Sequence, residues 1–119
     1  MTGRRALFAA AAWLFLAGIV AQVTLAGTAL FELSDWTVHT ELGWGLGFAA
    51  ILLPVVAYAA RPGRRTLWLA IALAVTGCVQ PSLAEARSVA PLVAALHPVN
   101  ALLVFWLAVL VARRALDRD

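Results

Sequence analysis

Four apolar stretches, each about 18 residues or longer, leave this chain of 119 residues almost no freedom in what it folds into. They run over residues 6–31, 35–60, 67–84 and 89–112, and the first is interrupted only by Gln22, Thr24 and Thr28. Roughly 20 helical residues cross a ~30 Å hydrocarbon core. Lipid offers no hydrogen bonds, so each crossing segment must satisfy its own backbone, which a helix does and a lone strand does not. The expected fold is therefore all-α: a transmembrane up-down-up-down four-helix bundle, one integral membrane domain over residues 1–119. Composition agrees. The chain is 64% hydrophobic and 13% charged, whereas soluble domains sit near half and a quarter.

The ends of the stretches carry helix punctuation. Ser34 or Asp35 is placed to cap the second helix and Thr66 the third. Arg61-Pro62-Gly63-Arg64-Arg65 reads as a tight polar turn between them. Ser88 followed by Pro91 fits the opening of the fourth helix. Pro54, Pro81 and Pro98 fall inside or near helices and are expected to bend them. No internal repeat is visible beyond a bias to alanine.

The basic residues are all arginine, and they orient the chain. Arg4 and Arg5 precede the first helix, Arg61, Arg64 and Arg65 join the second to the third, and Arg113, Arg114 and Arg118 follow the fourth. Only Arg87 lies opposite, among Glu32, Asp35, Glu41 and Glu85. An excess of arginine marks the cytoplasmic side, so both termini are expected there, in the inner (cytoplasmic) membrane of a bacterium. The net charge of +3 is thus loop charge and does not indicate a nucleic-acid partner. The first 28 residues resemble a secretory signal, but the apolar run is long for one and the later helices fit with it retained. Val75-Thr76-Gly77-Cys78 has the form of a lipid-attachment box, yet such boxes are read at an N-terminal signal and this one lies within the third span. The single Cys78 excludes an internal disulfide.

Function has to come from the residues that break the apolar rule, because polar side chains in lipid are costly and usually face a bundle interior. These are Gln22 on the first helix, His39 and Glu41 on the second, Gln80 on the third, and His97 and Asn100 on the fourth. All fall in the half of the membrane away from the arginines, a shared depth that points to one site. The two histidines are on helices that lie diagonally in such a bundle, roughly 11–14 Å apart. Two imidazoles reaching one metal at about 2 Å each need backbones about 13 Å apart. Two axial histidines across a bundle hold a haem iron in b-type cytochromes. The alternative is a pair of interfacial histidines that titrate near the headgroups.

The neighbours of the histidines add to both readings. His39, Gly43 and Gly47 form one helix face, either a bare wall for a flat macrocycle or a small-residue packing seam. On the fourth helix Asn100 and Ala101 lie one turn beyond His97, and Pro98 frees the Ala94 carbonyl. Asn100 either borders the cofactor or hydrogen-bonds a neighbouring helix and fixes register. Arg87 is the one cation available to a haem propionate, or a plain loop arginine. Trp36 and Trp44 either line the pocket or anchor the helix at the interface. His39 is 22 residues from Arg61 and His97 only 16 from Arg113, a mismatch of about 9 Å along a helix axis. Tilt, proline bends or an extended fourth helix would have to absorb it.

His39-x-x-Leu42-Gly43 and Leu96-His97-Pro98-x-Asn100-Ala101 resemble the ligand-bearing helices of small four-helix b-type cytochrome modules. The layout is similar to one four-helix half of haem A synthase, to the core of cytochrome b561-like proteins, and to a family of small uncharacterised bacterial four-helix membrane proteins. The resemblance implies one haem b per chain, ligated by His39 and His97, with Gly43, Gly47, Asn100, Ala101, Gln22, Gln80 and Arg87 around it. With two histidines the chain holds at most one haem. Haem A synthase places acidic residues near its histidines, whereas Glu41 at +2 from His39 points to a different face, so the synthase's oxidation chemistry is not carried over.

Three functions compete: a single-haem electron carrier passing electrons to an outer-face or membrane redox partner, a non-catalytic subunit of a homo-oligomer or larger complex, and a proton or small-molecule pathway using His39, Glu41 and His97. The last lacks any polar continuation in the arginine-side half.

Overall fold

A computed structural model of the protein describes residues 3–117. Arg118, counted above among the orienting arginines, lies outside them. The chain forms α1 (Gly3–Leu30), α2 (Thr37–Ala60), α3 (Arg64–Glu85), a 3-10 turn (Ala86–Ser88), a short α4 (Pro91–Ala94) and α5 (His97–Arg114). Four stretches are long and apolar enough to cross a membrane: Gly3–Leu30, Thr37–Ala60, Arg64–Ser88 and Pro91–Arg114. The Cα trace measures 45 × 27 × 18 Å, and its long edge is that of α1, whose 28 residues span about 42 Å at 1.5 Å each. The protein is thus an all-α, multi-pass, membrane-type bundle.

Each long helix packs on the next, and α5 closes the ring against α1. The diagonal pairs are therefore α1 with α3 and α2 with α5. The basic ends of α1 and α2 meet: Arg5 donates a hydrogen bond to the Arg61 carbonyl at 3.5 Å. Arg61 ends α2 in the left-handed conformation (φ 53°, ψ 58°) with its N–H on the Ala57 carbonyl. Pro62 prevents continuation, and Gly63 at φ 87° takes a conformation that only glycine adopts freely.

Three local expectations change. Thr66 is not a cap. Helix α3 starts two residues earlier at Arg64, and Thr66 is buried one half-turn inside it. At α2 the cap residue is Trp36, but Asp35 still serves the helix end by accepting the Thr37 N–H at 2.8 Å. Pro98 does not bend a continuous helix. Pro91 opens α4, the chain turns at Ala95–Leu96, and α5 restarts at His97 with Pro98 in its first turn. There the missing proline N–H would have had no helical partner anyway.

The core repeats. Ala12 and Ala70, Phe15 and Leu73, Ala50 and Ala108, and Leu53 and Val111 are all buried, and the members of each pair stand 58 positions apart. The α1–α2 hairpin and the α3–α5 hairpin thus bury matching positions, as two copies of one packing unit. This corrects the reading that no internal repeat exists. The repeat hides because lipid and a dry core both accept Phe for Leu or Leu for Val at little cost. The buried apolar residues spaced at 3 and 4 fill the basic half of the bundle from Phe8 to Ile19 and from Ala50 to Ala60, with their counterparts. The opposite half is where the polar side chains lie.

Candidate functional site

Each hairpin carries one histidine on its second helix and one glutamine on its first, separated by 17 residues in both copies. Their contacts are nearly the same. His39 Nδ1 lies 3.1 Å from the Gln22 carbonyl oxygen, and His97 Nδ1 lies 3.0 Å from the Gln80 carbonyl oxygen. A carbonyl only accepts, so each Nδ1 carries the hydrogen and donates it. The Gln22 amide nitrogen donates to the His39 carbonyl at 2.7 Å and lies 3.4 Å from His39 Nε2. In the second copy the Gln80 amide nitrogen donates to the His97 carbonyl at 3.1 Å and lies 3.3 Å from His97 Nε2. The two hydrogens of each amide are thus directed at one histidine, whose Nε2 is the accepting nitrogen. All four side chains are half-buried.

The copies differ at the glutamine oxygen. Asn100 donates to Gln80 Oε1 at 2.6 Å and to the Thr76 carbonyl at 3.0 Å. Asn100 therefore ties α5 to α3, the register role weighed for it above. Its counterpart in the first hairpin is Leu42, and Gln22 Oε1 is buried without a hydrogen-bond partner. An amide flip does not relieve this, because it would set Oε1 against the His39 carbonyl at 2.7 Å.

The glycine face beyond His39 is covered by protein. A Cβ on Gly43 would come within 2.8 Å of the Gln22 amide nitrogen, so this glycine makes room for the clamp on His39. A Cβ on Gly47 would lie 3.7 Å from Pro81 and 3.8 Å from the Gly77 carbonyl, across the α2–α3 contact. Gly43 thus lies against the Gln22 side chain and Gly47 in the α2–α3 contact. Ala101, half-buried, occupies the position in α5 that Gly43 holds in α2. Trp36 meets the His39 ring edge-on, with centroids 5.4 Å apart. Trp44 and Arg87 are exposed, Arg87 in the 3-10 turn.

The depth mismatch between the histidines is resolved by the repeat. Gln22 follows Arg5 by 17 residues, Gln80 follows Arg64 by 16, and each histidine sits beside its own glutamine. Counted from the start of each hairpin the two pairs differ by one residue, about 1.5 Å, and Arg113, used for the other count, is still inside α5. The equal spacing Gln22–His39 and Gln80–His97 was the sequence signal that would have exposed both the repeat and the clamps.

A histidine whose Nδ1–H is held by a carbonyl has Nε2 as its accepting nitrogen, and in both hairpins that nitrogen faces the glutamine amide of its own hairpin, at 3.4 Å for His39 and 3.3 Å for His97. Among the described residues no group of three or more His, Cys, Asp or Glu converges on a common point.

The profile of a family of unknown function, DUF6220, matches residues 22–87. The match includes Gln22, His39 and Gln80 and stops before His97. No curated protein matches the chain, and no solved structure does.

Proposed function

The chain belongs to the DUF6220 family, and we propose that it is a haem b-binding membrane protein, a single-haem electron-transfer module with His39 and His97 as axial ligands. The observation carrying this reading is that both histidines, on the diagonal helices α2 and α5, have Nδ1–H locked on a carbonyl with Nε2 as the accepting nitrogen. A fixed Nδ1–H tautomer keeps Nε2 as the nitrogen that bis-histidine ligation of a haem iron uses, which supports the reading. The bound iron would supply one-electron redox chemistry. The chain supplies the two ligands, their orientation through the Gln22 and Gln80 carbonyls, and an apolar surround that excludes water. Loading requires the two glutamine amides, now beside each Nε2, to move aside.

A second reading has its own observation. Each glutamine directs both amide hydrogens at its own histidine. Such self-satisfied clamps staple each hairpin together, as in an accessory or interaction subunit that holds no cofactor.

The arginine-rich end is assigned to the cytoplasm of a bacterial inner membrane, with both termini there. The deciding experiment is a visible spectrum of the protein purified in mild detergent, as isolated and after dithionite. A Soret band with sharp reduced α and β bands, lost in both His39→Ala and His97→Ala, supports the haem reading. A protein that stays colourless after haem is supplied overturns it and leaves the clamp reading.

A further inference from the structure

At the basic end a cleft of about 610 Å³ opens between the first turn of α1 and the last turn of α2, lined by Gly3, Arg4, Arg5, Ala59, Ala60 and Arg61. Among the described residues that line it, three are arginines and none is a carboxylate. Arg5 reaches across to the Arg61 carbonyl and so fixes the two walls relative to each other. Arg4 and Arg61, both exposed, are among the residues that line it. The other lining residues, Gly3, Ala59 and Ala60, are too small to fill the space. The cleft lies where two apolar spans stop, which in a bilayer is the level of the headgroups.

We infer that this cleft is a phosphate-recognition site, and that its ligand is the headgroup phosphate of an anionic phospholipid. The planar fork of arginine matches two phosphate oxygens at once, which a single lysine does not do. Basic pockets between transmembrane helices on the cytoplasmic side take anionic headgroups for this reason. The lipid's acyl chains would continue along the exposed apolar flanks of α1 and α2, where Leu7, Val55 and Tyr58 face outward. A free phosphate compound offers the same oxygens without that second contact. The site is independent of the histidine clamps, which occupy the other end of the bundle.

Native mass spectrometry of the full chain released from detergent tests this. The probes are phosphatidylglycerol, phosphatidylcholine and soluble glycerol phosphate. One retained phosphatidylglycerol per chain, at least tenfold preferred over phosphatidylcholine, is expected. That preference should fall to parity in Arg4→Gln/Arg61→Gln and persist in Arg113→Gln/Arg114→Gln, which removes equal charge from the same end. Circular dichroism establishes that the double variants remain folded. Equal binding of glycerol phosphate would keep the phosphate site and reassign its source to a soluble ligand. An unchanged preference in Arg4→Gln/Arg61→Gln, or equal loss in both double variants, would overturn the site.

Discussion

Gln22 and His39 hold each other from both sides: the imidazole donates to the Gln22 backbone carbonyl at 3.1 Å, and the Gln22 amide donates to the His39 carbonyl at 2.7 Å. Gln80 and His97 do the same in the second hairpin at 3.0 and 3.1 Å. Each clamp joins the two helices of its own hairpin near the end away from the arginines, and the apolar core joins them at the other. The bundle is thus bolted at one end by polar contacts and at the other by packing. The following expectations come from this division.

The two clamps should differ in strength. Gln80 serves His97 and also accepts from Asn100, whereas Gln22 serves His39 alone. Interhelical hydrogen bonds in membranes average about 0.6 kcal/mol and reach about 1.7. Gln80→Ala is expected to cost about 1–2 kcal/mol and Gln22→Ala less, measured by reversible unfolding in mixed micelles. Equal costs would show that Asn100 adds nothing to the second clamp.

Copying Asn100 into the first hairpin should stabilise it. In Leu42→Asn the new amide is placed by the repeat to reach Gln22 Oε1, which is buried without a partner, as Asn100 reaches Gln80. Satisfying a buried acceptor contributes about 1 kcal/mol, against the loss of a half-buried leucine. A net gain, small but positive, is expected in Leu42→Asn and should vanish when Gln22→Ala is added. A gain that survives Gln22→Ala would assign it to another contact.

Helix packing ranks the glycines. At Gly77 a Cβ would meet the Ala50 Cβ at 2.7 Å, an atom that moves only with its backbone. At Gly18 the obstacle at 2.7 Å is the Cδ2 end of Leu46, which can rotate. At Gly47 the nearest atoms lie at 3.7 and 3.8 Å, ordinary contact. Gly77→Ala is expected to cost about 1–3 kcal/mol through overpacking, Gly18→Ala less, and Gly47→Ala close to nothing. Thermal unfolding of the three variants gives the order.

Acid should loosen the start of α2. The Thr37 N–H donates to Asp35 Oδ1, and this bond holds the Asp35 carboxyl below its ordinary value. A carboxylate whose folded pKa is depressed contributes stability that is present above the unfolded value and lost as pH falls through the folded one. The protection of the Thr37 amide against hydrogen exchange, corrected for intrinsic rate, should therefore drop below about pH 4. Asp35→Asn, which keeps an accepting oxygen but does not titrate there, should show no such drop.

Topology can be read by labelling. In a Cys78→Ala background, Ser34→Cys is expected to react with an impermeant maleimide added to intact cells, and Arg65→Cys only after lysis. The reverse pattern would invert the orientation taken from the arginines.

The sequence by itself determined the four membrane-crossing stretches and which ends lie together. Runs such as residues 6–31 have one way to satisfy their backbone in lipid, and arginine placement assigns their ends without any knowledge of contacts. It also marked Gln22, His39, Gln80, His97 and Asn100 as the residues of interest, because polar groups in such runs stand out one by one. Only the tertiary structure decided what they do with each other. That Gly43 yields to the Gln22 amide, and that Asn100 completes one clamp while Leu42 leaves the other open, depend on which face each helix turns to its neighbour. In lipid that choice leaves little trace in the sequence. Inward and outward faces are both apolar, so no amphipathic stripe marks the side that packs, and small differences in side-chain shape and a few hydrogen bonds select it.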